Sequence, residues 1–99
     1  MRRLVYTPAA QSDLEDILRF IAADNPRRAR LYVGEIQEAC RRLRDMPDMG
    51  MAWPDLRPKL RVLPLWRRIV VAYEPSGSTI DVLRIFSAGQ DYEALMTGD

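Results

Sequence analysis

Histidine is absent from this 99-residue chain, and cysteine and lysine occur once each, as Cys40 and Lys59. Each shortage closes off a class of function. Histidine is the side chain that most often moves protons near neutral pH, so general acid–base chemistry is poorly supplied here. One cysteine and no histidine leave a zinc site without its usual ligands, and no metal or cofactor is expected. The same lone cysteine cannot close an internal disulfide, which fits a reducing cytoplasm. No apolar run approaches the roughly 20 residues that cross a bilayer. The opening Met1-Arg2-Arg3-Leu4-Val5-Tyr6-Thr7-Pro8 lacks the apolar segment of a signal peptide, so a cytoplasmic location is expected.

What is present describes a globular protein. Hydrophobic residues make up 47% and charged residues 29%, a balance that supports a packed core and argues against a disordered tail. A chain of this length is expected to form one domain, residues 1–99. The net charge of +1 hides an internal asymmetry. From Pro8 to Asp24 the acids Asp13, Glu15, Asp16 and Asp24 face one base, Arg19. From Arg57 to Arg68 the bases Arg57, Lys59, Arg61, Arg67 and Arg68 meet no acid at all. Two readings of that segment stay open: a local site for an anionic partner, or a solvated arginine face.

Leu4-Val5-Tyr6 reads as a short strand. Thr7 can cap a helix and Pro8 suits its first turn. Ala10, Leu14, Ile17, Leu18 and Ile21 then form one apolar stripe, with Asp13 and Asp16 off it. Asn25-Pro26 repeats the cap-then-proline signal and starts a second helix, striped by Ala29, Tyr32, Val33, Ile36, Cys40 and Leu43. So short a link predicts an antiparallel helical hairpin. Proline and glycine make Pro47 to Pro54 a loop. Strands are expected over Leu60 to Leu63, Arg67 to Tyr73 and Thr79 to Phe86, with a turn at Glu74-Pro75-Ser76-Gly77-Ser78. The wholly apolar Ile69-Val70-Val71-Ala72-Tyr73 should be an interior strand covered on both faces. The expected fold is α+β: an antiparallel sheet in the order β-α-α-β-β-β, a last helical turn, and the hairpin packed on one face.

Individual side chains carry competing readings. Cys40 sits on an apolar stripe and reads as core. Tyr32 and Tyr73 read as core aromatics, while Tyr92 lies in a polar context and could stack on a partner. Met46, Met49 and Met51 flank Gly50, either plugging the core or offering a flexible binding surface. Trp53 and Trp66 border the basic segment, where packing and an interface role both fit. Arg61 and Arg84 interrupt apolar strands, so each needs a carboxylate or a path to solvent.

The order and spacing of several short stretches resemble the ParE branch of the ParE/RelE toxin superfamily. They are Pro8-Ala9-Ala10 with Asp13-Leu14 and Ile17; Asn25-Pro26 with Ala29; and Leu43 followed by Pro47-Asp48-Met49-Gly50. They continue with Asp55-Leu56-Arg57-Pro58 and Arg61, then Tyr73, then Val82-Leu83-Arg84-Ile85 with Asp91. The resemblance implies a toxin of a type II toxin–antitoxin pair that inhibits DNA gyrase and is neutralised by a ParD-like antitoxin. The superfamily's RelE branch, whose members cleave mRNA on ribosomes, supplies the alternative. A degenerate member that still binds antitoxin is a third.

Family members tend to carry a pattern like His-Gly-Ala-Arg-Asp after the last strand. Here Ser87 stands in the histidine's place and Gln90 in the arginine's, with Asp91 kept. Cleavage through a 2′-hydroxyl needs proton-transfer groups, and arginine stays protonated. The expectation is therefore a binding protein with no catalytic residue. Arginine forks match carboxylates and phosphates. Arg57, Lys59, Arg61, Arg67, Arg68 and Arg84, together with Tyr92, are the expected partner-binding set. Promoter contact is expected to come from the antitoxin, and no membrane contact is expected.

Overall fold

The computed structural model describes residues 2–66 and 68–87. The expected last helical turn lies outside the described residues, as do Arg67, Gln90, Asp91 and Tyr92. In chain order the elements are β1 (Arg3–Tyr6), α1 (Pro8–Ala22), α2 (Pro26–Arg42), β2 (Met51–Ala52), β3 (Arg61–Leu65), β4 (Ile69–Ser76) and β5 (Thr79–Ser87).

Both helices begin as the sequence predicts. Thr7 Oγ1 accepts from the Ala10 amide at 3.1 Å, and Asn25 Oδ1 accepts from the Arg28 amide at 3.1 Å. In each case a proline follows, where a missing N–H costs nothing. The stripe residues Ala10, Leu14, Ile17, Ile36, Cys40 and Leu43 are buried against Leu63, Ile69, Val71, Tyr73, Ile80, Val82 and Ile85 of the sheet. A fully buried aliphatic side chain stabilises by about 1.5–3 kcal/mol, so this layer dominates the fold.

The sheet order is β1-β5-β4-β3-β2, with β4 interior between β5 and β3. Its second face is covered too. Val62, Ala72 and Phe86 pack there with Leu60, under Trp53 and Leu56 of the long loop. That cover explains why β4 is apolar on both faces.

Three expectations need correction. The sheet is mixed, because β1 runs parallel to β5 (Arg3↔Thr79 through Tyr6↔Val82) while the other pairs are antiparallel. Strand direction follows from where the helical hairpin returns the chain, and a four-residue strand carries no sign of it. The loop from Pro47 to Pro54 holds an extra strand, β2, paired as Met51↔Val62 and Ala52↔Arg61; two residues give no periodicity to read. The last turn is narrower than expected, since Glu74, Pro75 and Ser76 belong to β4 and only Gly77 and Ser78 turn. Gly77, at φ 54°, takes the positive dihedral such two-residue hairpins require. Pro75 is tolerated in β4 because β3 ends its pairing at Tyr73.

One irregularity positions functional groups. The β4–β5 register shifts so that Ala72 faces Arg84 and Tyr73 faces Val82, leaving Leu83 as an extra residue on β5. The bulge turns both Val82 and Ile85 toward the helices. Beyond Val82, β5 has outrun β1, and α1 supplies the missing partners. Thr7 Oγ1 donates to the Leu83 carbonyl at 2.8 Å, and the Ile85 amide donates to Asp13 Oδ2 at 2.8 Å.

Candidate partner-binding surface

The described members of the basic set picked out from the sequence differ in their partners. Arg84 is forked onto Asp13: Nε donates to Oδ2 at 2.8 Å and Nη2 to Oδ1 at 3.0 Å. Its guanidinium also lies 5.0 Å from the centre of the Phe86 ring. The hydrogen bonds it donates to the Asp13 carboxylate hold Arg84 above the ordinary arginine value. Arg61 donates to the Gly50 carbonyl at 2.6 Å and the Asp48 carbonyl at 3.3 Å, with the Asp48 carboxylate at 3.4 Å. Arg57 pairs with Glu74 at 3.1 Å across the sheet. Arg57, Arg61 and Arg84 therefore already have anionic or carbonyl partners within the chain. Lys59 and Arg68 are exposed and have no ion pair among the described residues.

Arg61 belongs to a cluster that shapes the long loop. The Tyr73 hydroxyl donates to the Pro47 carbonyl at 2.7 Å and accepts from the Gly50 amide at 2.8 Å. Burial raises the Tyr73 pKa, so the phenol keeps the proton it donates. A Cβ at Gly50 would stand 2.8 Å from Tyr73 Oη and 2.9 Å from the Val62 carbonyl oxygen, so only glycine fits. Met46, Met49 and Met51 are exposed around this loop and do not plug the core. Cys40 is buried, and burial pushes its thiol up to about 11, which removes the thiolate a nucleophile would need.

The open surface lies at the other end of α2. Two clefts of about 600 and 520 Å³ meet there, sharing Arg28, Tyr32 and Arg68 in their walls. The first runs between the helices and the sheet over Ile17, Ile69 and Ile85; the second runs beside Trp66 and Leu31. Phe20 is 83% exposed, Leu31 61% and Trp66 49%, so large apolar groups line the rim uncovered. Trp66 stacks at a tilt on Tyr32, with ring centres 5.7 Å apart. Its backbone sits at φ 53°, a dihedral that a bulky residue adopts only at a cost. Arg27, Arg28 and Arg68 are exposed at these clefts and have no ion pair among the described residues. Of the carboxylates there, Asp13 is held by Arg84 and Asp16 by Arg19, leaving Glu35.

Of the residues lining this surface, the sequence points to Arg68 and Trp66 through the basic segment and to Ser87 through the family pattern. Phe20, Arg28 and Leu31 lie outside both the apolar stripes and the basic segment, so neither pattern points to them. The signal was there nonetheless: Phe20 and Leu31 are large apolar residues lying off the stripe of each helix, close to the hairpin turn.

The comparisons with known proteins agree with this architecture. The fold is similar to a solved chain described as "Chromosomal ParDE TA system from P. aeruginosa", with a TM-score of 0.74 and 28% identity. That match covers 88% of this chain and 96% of the other. No curated protein matches the chain. Residues 4–92 match the family described as the ParE toxin of the type II toxin-antitoxin system, parDE. The chain belongs to the ParE toxin family of type II toxin–antitoxin systems.

Proposed function

We propose that this protein is a cytoplasmic toxin that acts by binding, with DNA gyrase as its target and a ParD-like antitoxin as its neutralising partner. Membership of the ParE family over residues 4–92 carries the proposal, and the similar solved chain is itself part of a ParDE system. The side-chain inventory supports a non-catalytic mechanism. The chain has no histidine, its one cysteine is buried and stays protonated, and Arg57, Arg61 and Arg84 are held by partners within the fold. Inhibition by binding needs complementary surface, not a base of tuned pKa.

Two parallel assays test it. Purified protein added to gyrase should lower supercoiling and accumulate cleaved DNA, while in vitro translation should proceed with intact mRNA. Cleavage of ribosome-bound mRNA that stops on Lys59→Met would replace this mechanism with a RelE-like one. Absence of both effects, with antitoxin binding retained, would identify a degenerate member whose Ser87 and Gln90 have removed toxicity.

A further inference from the structure

The geometry points to the loop from Met46 to Met51 as a binding site for a soft monovalent metal ion, copper(I) or its analogue silver(I), held by the thioether sulfurs of Met46, Met49 and Met51. The inference is independent of the toxin–antitoxin reading and of the clefts at the other end of α2, whose walls include none of these residues. Three observations carry it.

The first is exposure. Methionine ordinarily fills gaps in a core, yet Met46 is 57% exposed, Met49 37% and Met51 68%. Among the described residues only Val5, Phe20, Leu31 and Trp66 are other large apolar groups left so open. One short loop thus gathers three uncovered side chains, and all three carry sulfur. The second is spacing. The Met49 amide donates to the Met46 carbonyl at 3.1 Å, closing a turn, and such turns bring their end Cα atoms within about 7 Å. Met51 follows two residues later, no farther than about 7 Å from Met49 even if the chain is fully extended. Side chains with three rotatable bonds that start so close together can bring their sulfurs onto one ion. The third is the state of the other donors. The Pro47 carbonyl accepts from Tyr73, the Asp48 and Gly50 carbonyls accept from Arg61, and the Asp48 carboxylate lies 3.4 Å from that guanidinium. The oxygens that a hard cation would take are engaged, and the same bonds fix the backbone that carries the sulfurs. Among the described residues no group of three His, Cys, Asp or Glu side chains could hold a metal elsewhere, and Cys40 is buried with its thiol protonated. Zinc takes thiolate, imidazole or carboxylate, whereas thioether sulfur is a soft donor that suits copper(I). The shortage of histidine and cysteine therefore argues against zinc and leaves this ion open.

Titrating silver nitrate into the full chain in chloride-free buffer, with isotope-labelled methionine methyl groups read by NMR, tests the site without a redox step. One equivalent should shift three methyl resonances together, each assigned by its disappearance in Met46→Leu, Met49→Leu or Met51→Leu. Leucine keeps the volume, so the fold should persist. Each single replacement should weaken silver binding by at least about tenfold, no less than losing an outer-shell partner costs a metal site. The M46L/M49L/M51L variant should lose the site while melting as the metal-free parent does. Copper(I) added without oxygen should displace silver from the same three groups, and zinc(II) and magnesium(II) should not. Shifts confined to Met1 or Met96, or to two of the three loop methionines, would overturn the assignment. So would affinity that survives the triple replacement, displacement of silver by zinc(II), or failure of copper(I) to compete. Silver binding that vanishes in Cys40→Ala, with the three loop resonances unmoved in the parent, would place the ion on the thiol and overturn it as well.

Discussion

Two sets of arginines occupy this small protein, and they do opposite things. Arg57, Arg61 and Arg84 lie on or beside the strands, each within 3.4 Å of an acidic side chain of the same chain. Arg27, Arg28 and Arg68 lie around the groove at the other end of α2 and have no carboxylate partner among the described residues. The first set ties the fold together: Arg84 joins β5 to α1, Arg61 closes the long loop, and Arg57 reaches across to β4. The second set leaves its charge outside. Fixed charge already balanced inside a fold attracts little from outside it, whereas unbalanced charge beside exposed apolar surface is available for recognition.

Substitutions can break or sharpen that contrast. The largest effect should come from Asp13→Ala, which strands the half-buried Arg84 guanidinium and the Ile85 amide together. Removing one member of a buried pair costs about 3–5 kcal/mol; Arg84 keeps some solvent, so about 2–3 kcal/mol is expected, measured by urea denaturation. Asp13→Asn should recover part of that loss, since the amide oxygen can still accept from Ile85. If Asp13→Ala is neutral, the strand arginines are not structural and the comparison fails.

Gly50→Ala comes next. The new methyl meets both a side chain and a backbone carbonyl under 3.0 Å, and overpacking of this kind costs about 1–3 kcal/mol. It should also loosen the hold of Arg61, so hydrogen exchange of the Gly50 amide should quicken beyond the change in global stability.

Arg57→Ala is expected to cost less. Its side chain is 47% exposed, and such pairs contribute about 1 kcal/mol or less. It marks the border between the two sets: paired, yet still reachable by a partner.

The smallest stability effect belongs to R28E/R68E, within about 0.5 kcal/mol of the parent, because both residues are exposed and have no ion pair among the described residues. A large destabilisation in this variant would show that the groove arginines are structural as well.

Much of the fold was legible because local chemistry specified it. Thr7-Pro8 and Asn25-Pro26 fixed both helix starts, and the stripes fixed which faces are buried. The apolar run at Ile69 to Tyr73 marked an interior strand. The resemblance read from scattered short stretches was equally sound, and the structure explains several of them. Asp13 and Arg84 bind each other, while Pro47, Gly50, Arg61 and Tyr73 form one hydrogen-bonded cluster. The residues that announce the family are in these cases those that hold its framework.

The binding surface was less legible. A cluster of bases in sequence, Arg57 to Arg68, looked like one field, yet Arg57 and Arg61 are paired with Glu74 and Asp48, while Lys59 and Arg68 have no ion pair among the described residues. By itself the sequence determined the helices, the interior strand, the family, and the poverty of proton-transfer groups, because these follow from residue type and short-range spacing. Tertiary structure alone decided that β1 runs parallel to β5, that α1 replaces β1 along the end of β5, and which arginines remain open. Whether a charge is free depends on what stands within a few ångströms of it, and for Arg84 that partner, Asp13, is 71 residues away along the chain.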